Sequence, residues 1–334
     1  MRVCPACGKE NPDDGRFCSV CRKSLRIGGA GVLESVDETP EKAKHDMLSS
    51  IRSGEYAERR ISPAWSIVAL FAILPSAVIF FVSMLNAVFN LRYGGGDIWE
   101  FFYVYGRNIL MMLFGVLFGV LIFKLLSKIN THMRREEEIR KATMTYLLSA
   151  SRIGSDDPEA IKGLISASAF DGQASTYEER LPPRRWAFQI ALVFVAGSLL
   201  IMVEMVLVYN WDIIRNHFAV VTLVSYGSTM AEIIGLVMLI YVTNALMRTL
   251  YTHEVRWIGF VNSISEPLRR LGKNFKMPRL QGRVKERPFI LYAVLTVVTI
   301  GFFAFYWLYA LIDDQNKHIE WQVRVENTLG SALD

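Results

Sequence analysis

No cysteine follows Cys21 in this 334-residue chain, so its body holds nothing from which a disulfide framework could be built. Charge is scarce as well: Asp, Glu, Lys and Arg make up 21% of the residues, against 52% apolar. There is no HExxH, no P-loop, no GxSxG and no pair of carboxylates at a workable spacing. The common hydrolytic and phosphoryl-transfer chemistries therefore lack a nucleophile, a base or a phosphate cradle. An enzyme is not expected. No cleavable signal peptide is evident either, because Met1 runs directly into Cys4, so the first apolar span should itself serve as the insertion signal.

The apolar residues are gathered into a few long runs. Crossing about 30 Å of hydrocarbon takes about 20 apolar helical residues. Ala64 to Leu91, Phe101 to Ser127, Trp186 to Tyr209 and Val220 to Met247 meet that length, and a fifth run covers Phe289 to Ile312. Lys and Arg number 11 before the first run, 10 from Lys128 to Arg185 and 10 from Arg248 to Arg287. They number only two from Arg92 to Arg107, one after Tyr209 and two after Ile312. The positive-inside rule then puts the three basic segments and the N-terminus in the cytoplasm, with short outer turns between spans. The same bias explains most of the basic pI near 9.0, so a nucleic-acid partner is disfavoured.

The runs repeat. At an offset of 121 residues, Tyr56, Glu58, Arg59 and Trp65 recur as Tyr177, Glu179, Arg180 and Trp186. Tyr105-Gly106 likewise recurs as Tyr226-Gly227, and Thr131-His132 as Thr252-His253. Each unit reads as a basic entry segment, a two-span hairpin and a returning helix, in parallel duplication. A shortened third unit follows, with Glu286-Arg287-Pro288 as its entry and Asn316-Lys317-His318 matching Asn130-Thr131-His132. Between these lies one run of 24 residues with Thr299-Ile300-Gly301 at its middle. By length it is a fifth span; by resemblance to the earlier units it is a re-entrant hairpin with two short legs.

Cys4-Pro5-Ala6-Cys7 and Cys18-Ser19-Val20-Cys21 have the spacing of a tetrahedral four-cysteine zinc site, in which two short turns each aim two thiolates at one ion. Four thiolates leave no open coordination position, so the zinc is expected to be structural, its binding supplying the folding free energy of a segment too small to have a core. A disulfide reading would require an oxidising compartment. The stretch MRVCPACGKENPDDGRFCSVCRKSL resembles the zinc-ribbon modules at the N-termini of many prokaryotic membrane proteins, with CPxCG followed by FCxxCG. The resemblance implies Cys4, Cys7, Cys18 and Cys21 as ligands; Arg22 stands where the second glycine is usual. Farther on, Gly301-Phe302-Phe303-Ala304-Phe305-Tyr306-Trp307-Leu308-Tyr309, with Asp314, Asn316 and His318 after it, resembles an uncharacterised prokaryotic membrane-domain family with an aromatic run and an NxH stretch. That resemblance implies no activity.

His132, His253 and His318 stand at matching places after their apolar runs, where three imidazoles could form a metal or proton site. The alternative is that each bonds backbone or a lipid headgroup where its helix leaves the bilayer. Glu204 and Glu232 lie inside the third and fourth spans, where a carboxylate marks an ion path or an interhelical hydrogen bond. Gly115 to Gly119 and Ala231 to Gly235 are small-xxx-small spacings suited to close helix approach, within the chain or in a homo-oligomer. Met47, Leu48 and Ile51 form an apolar stripe on a helix expected within Pro40 to Glu58, and further helices are expected around Glu136 to Ser149 and Val255 to Leu271.

The expectation is thus an all-α polytopic membrane protein with a small N-terminal four-cysteine zinc ribbon, built from two tandem parallel hairpins and a fifth apolar segment. Its parts are a zinc ribbon (1–27), a linker and amphipathic helix (28–62), hairpin 1 (63–128), a helical connection (129–185), hairpin 2 (186–249), a second connection (250–287), the fifth membrane segment (288–312) and a tail helix (313–334). The lipid bilayer of a prokaryotic cell membrane and a cytosolic protein are the expected partners. Function is expected to be that of a membrane-anchored adaptor or regulator; the alternative is a small channel or transporter with Glu232 in its path.

Overall fold

The computed structural model describes residues 2–3, 10–11, 39–57, 60–71, 96–151, 167, 180–209, 211–279, 284–299 and 302–333. The four cysteines, and residues 72–95 with most of the first expected span, lie outside them. Almost all of what is described is helix: α1 (Pro40–Ala57), α2 (Gly96–Ser151), α3 (Pro183–Tyr209), α4 (Trp211–Arg270), α5 (Phe289–Val298) and α6 (Phe302–Leu333). Two short strands, Arg2–Val3 and Glu10–Asn11, pair antiparallel, and a 3-10 turn over Pro63–Ile67 opens the first apolar run.

Among the described residues, three helical stretches are long and apolar enough to cross a membrane: Gly106–Ala150, Pro183–Leu207 and Phe218–Arg270. Their outward faces agree with that role. Ile109, Leu113, Val116, Val120 and Phe123 on α2, Phe188, Leu192 and Leu199 on α3, and Phe218, Leu223 and Met230 on α4 are exposed. So many large apolar side chains at one level would be untenable in water but suit lipid.

The helices expected around Glu136 and Val255 are not separate elements. They continue α2 and α4, which run unbroken for 56 and 60 residues. No proline or capping signal interrupts Phe101 to Ser149, so nothing in the chain ends α2 at the edge of its apolar stretch. α4 does stop where the chemistry requires it: Gly272 has φ of 76°, Gly272 N–H donates to Arg269 O and Lys273 N–H to Leu268 O, a left-handed glycine closing the last turn.

The fifth apolar segment folds back on itself. Phe289 and Tyr292 of α5 pack against Trp307 of α6, Tyr292 against Phe303, and Arg287 makes a two-pronged ion pair with Asp314 at 2.7 and 2.9 Å. Residues progressively farther before the bend, Tyr292, Phe289 and Arg287, thus meet residues progressively farther after it, Phe303, Trp307 and Asp314, the signature of an antiparallel pair and the geometry of the re-entrant reading. Thr299 shapes the bend: its Oγ1 accepts from Phe303 N–H at 2.9 Å, capping α6 as α5 ends.

Two apolar cores result. One gathers Phe114, Phe118, Leu121, Ile122 and Leu125 with Ile190, Phe194, Leu246 and Leu311. The other gathers Met47 and Ile51 of α1 with Ile139, Leu147, Trp257, Phe260, Trp321 and Leu329, so Met47 and Ile51 of the expected α1 stripe are buried and Leu48 packs half-buried against the same core. Between them lies a layer of polar side chains.

Candidate functional site: a three-histidine layer

The three histidines meet. His132 on α2, His253 on α4 and His318 on α6 are fully buried, and their ring centroids are 5.3, 5.2 and 5.1 Å apart, with interplanar angles of 72°, 81° and 73°. One nitrogen from each lies within 4.8 Å of the other two. All three are enclosed in the protein, which leaves no place for the lipid-headgroup contact of the alternative reading. The near-equality of the three separations is what three related units around a common axis would produce.

The polar contacts around the rings follow the same cycle. His132 Nε2 is 2.8 Å from Gln322 Oε1 on α6, His253 Nε2 is 2.9 Å from Glu136 Oε2 on α2, and His318 Nδ1 is 3.1 Å from Glu254 Oε2 on α4. Each unit's histidine is held by the preceding unit's helix. The entry segments close the ring in the same sense. Asn316 on α6 bonds both backbone groups of Ile61, Asn130 on α2 donates to Leu181 O, and Glu254 on α4 accepts from Val284 N–H.

These bonds set the ring tautomers. Gln322 donates its amide N–H to Glu326 Oε1 at 3.0 Å, which turns its oxygen toward His132 and makes His132 Nε2 the donor. Arg256 donates to His253 Nδ1 at 3.3 Å, leaving the proton on Nε2, which stands 2.9 Å from Glu136 Oε2 as an ion-pair contact. His318 Nδ1–H donates to the Glu254 carboxylate, so His318 Nε2 is a bare acceptor; it is buried and has no hydrogen-bond partner. Burial first, then the His253 and His132 rings, hold His318 well below the ordinary imidazole range, with Glu136 pulling the other way. His318 is therefore neutral at physiological pH.

A ring of ion pairs encloses the layer. Arg135 makes two bonds to Glu326 at 2.9 and 2.8 Å, Arg140 one to Glu136 at 2.6 Å, and Arg256 approaches both Glu136 oxygens at 3.4 and 3.5 Å. With Glu254, three buried arginines face three buried carboxylates, so the charges balance without the imidazoles.

The other sequence candidates are placed as follows. Glu232 contacts Arg107 at 3.3 Å, and Glu204 accepts from Ser228 Oγ at 3.0 Å; both engage a neighbouring helix, and they do not converge on the histidines. Gly115 packs on Phe194, Gly119 on Ala187 and Ala191, and Gly197 on Ala231, so the small-residue spacings serve contacts within the chain. Cys4, Cys7, Cys18 and Cys21 fall outside the described residues. Glu136, Glu254 and Gln322 went unremarked in the sequence because they share no single offset: they stand at +4, +1 and +4 from the histidines of their own helices. No protein-family model, no curated protein and no solved structure matches the chain.

Proposed function

We propose that this chain is a membrane-anchored adaptor of the prokaryotic cell membrane, in which an N-terminal zinc ribbon held by Cys4, Cys7, Cys18 and Cys21 recruits a cytosolic protein partner to the inner face. The closed packing of the apolar helices carries this reading over transport. A Cβ at Gly119 would lie 2.8 Å from Ala187 O, and one at Gly197 would lie 3.1 Å from Ala231 Cβ, so α2, α3 and α4 meet with backbone nearly on backbone and leave no room for a hydrated path there. The intramembrane carboxylates support it too, since Glu204 and Glu232 are engaged by Ser228 and Arg107. Unbroken α2 and α4 tie the anchor rigidly to the second core. In this reading the zinc is structural and the bound protein is the functional ligand.

The test is co-purification from native membranes, comparing the full chain with a Cys4→Ser, Cys7→Ser variant. A cytosolic protein that binds the full chain and is lost from the variant is the expected result; retention of every cytosolic partner by the variant overturns the proposal. The channel alternative predicts ion or solute flux in reconstituted vesicles that falls with Glu232→Gln.

A further inference from the structure

We infer that His132, His253 and His318 form a second metal centre, a three-imidazole site for a divalent first-row transition ion such as Zn2+, independent of the cysteine ribbon.

The first argument is the pattern of outer bonds. A ligating histidine presents one nitrogen to the metal and donates from the other to a carboxylate or carbonyl oxygen, which fixes the ring and raises its basicity. Gln322 and Glu254 give such an oxygen to His132 and His318, Glu136 stands 2.9 Å from His253 Nε2 as an ion-pair contact, and each oxygen comes from a different helix. The second argument is the orphaned acceptor. His318 Nε2 is fully enclosed and unbonded, and a buried acceptor left in that state costs about 1–3 kcal/mol. An ion on that nitrogen removes the penalty. The third argument is position. The layer lies between two apolar cores, and three imidazoles gathered there are accounted for by their chemistry better than by filling space.

Neutral imidazole nitrogen suits Zn2+, Cu2+, Ni2+ or Fe2+, whereas Ca2+ and Mg2+ demand oxygen ligands. Two nitrogens on a tetrahedral zinc stand about 3.4 Å apart, inside the 4.8 Å limit that the three ligand atoms span. Binding therefore draws the rings together and replaces the contact of Arg256 with His253 Nδ1. The arginines already balance the carboxylates around the layer, so the ion's added charge would be offset by an anionic donor, such as hydroxide, in its open coordination position. Three protein ligands leave a fourth position for water or another small donor.

The experiment uses the full-length chain with Cys4→Ser, Cys7→Ser, Cys18→Ser and Cys21→Ser, so that it reads the histidines alone whatever the ribbon does. After chelation and dialysis against buffered Zn2+, this variant is expected to retain one equivalent. Zinc X-ray absorption should show a shell of imidazole nitrogens at about 2.0 Å. His318→Asn preserves a donor to Glu254 in place of Nδ1–H while removing Nε2, and should weaken zinc binding at least 100-fold with helix content unchanged. No bound zinc in the four-serine variant, or unchanged affinity in His318→Asn, overturns the site. Should His318→Asn not fold, the absorption spectrum of the four-serine variant decides: an imidazole shell supports the centre, and an oxygen-only shell removes it.

Discussion

Glu254 decides which nitrogen of His318 is left without a proton. Its Oε2 lies 3.1 Å from Nδ1 while its Oε1 accepts from the Val284 backbone at 3.0 Å, so the carboxylate is fixed from both sides and the imidazole cannot turn its bare nitrogen outward. Glu254→Gln keeps one acceptor oxygen for Val284 and offers His318 an amide N–H. The ring must then accept through Nδ1 and carry its proton on Nε2. Zinc affinity of the histidine layer should drop about 10–100-fold, and the metal-free protein should lose stability as well because one buried arginine charge is left unbalanced. An affinity equal to that of the parent would show that the outer bond does not govern the site.

A second consequence concerns the buried ion pairs. Arg135 is enclosed with its Nη2 bonded to both oxygens of Glu326, which also accepts from Gln322. Arg135→Met strands a carboxylate in the interior and should cost about 3–5 kcal/mol, whereas the double change Arg135→Met, Glu326→Leu removes both charges and should recover most of that loss. Denaturation of the two variants in detergent, followed by tryptophan fluorescence from the nearby Trp321, checks the difference. Equal stability of the single and double variants would mean the pair is not desolvated.

Much of this layer was legible in the chain itself. His132 and His253 share the 121-residue offset, and the Asn-x-His spacing adds His318, so periodicity alone marked the three residues that meet. The bend of the last apolar run was legible only as one of two readings, because 24 apolar residues can cross a bilayer or fold in half; the Arg287–Asp314 pair and the Tyr292–Phe303 contact show the fold-back, and neither is visible in hydropathy. Likewise Glu136, Glu254 and Gln322 could not be singled out beforehand. Each supports a histidine on another helix, a relation set by packing across sequence separations of 64 to 190 residues.

Acid should destabilise the metal-free protein. His318 is held well below its ordinary value of 6.5 by burial and by the His253 and His132 rings, against the opposing pull of Glu136 and with Glu254 on its Nδ1. Below pH 6.5 the unfolded chain binds a proton at this residue that the folded chain refuses, so stability falls as the pH falls, approaching about 1.4 kcal/mol per unit. In chelator-treated protein the thermal midpoint should decline from about pH 7.5 to about pH 5.5, a window that brackets the free imidazole value, and His318→Asn should flatten that decline. A midpoint that holds steady through this window in the parent would show that His318 takes up its proton without unfolding.

The packing of α2 on α3 makes the sharpest forecast about the membrane region. A Cβ at Gly115 would collide with Phe194 Cβ, and one at Gly119 would lie 2.8 Å from the backbone oxygen of Ala187; neither neighbour is the far end of a flexible chain, so the helices themselves must part. Gly115→Ala and Gly119→Ala should each cost about 1–3 kcal/mol through overpacking. Gly106 lies on the same helix with nothing within 4 Å of the added atom, so Gly106→Ala removes only glycine's backbone entropy and should stabilise by about 0.5–1 kcal/mol. Thermal midpoints of the three variants in one detergent give the comparison. Opposite signs for Gly106 and the other two follow from direct helix contact, and a stabilising effect at all three would mean that α2 and α3 stand farther apart than this packing requires.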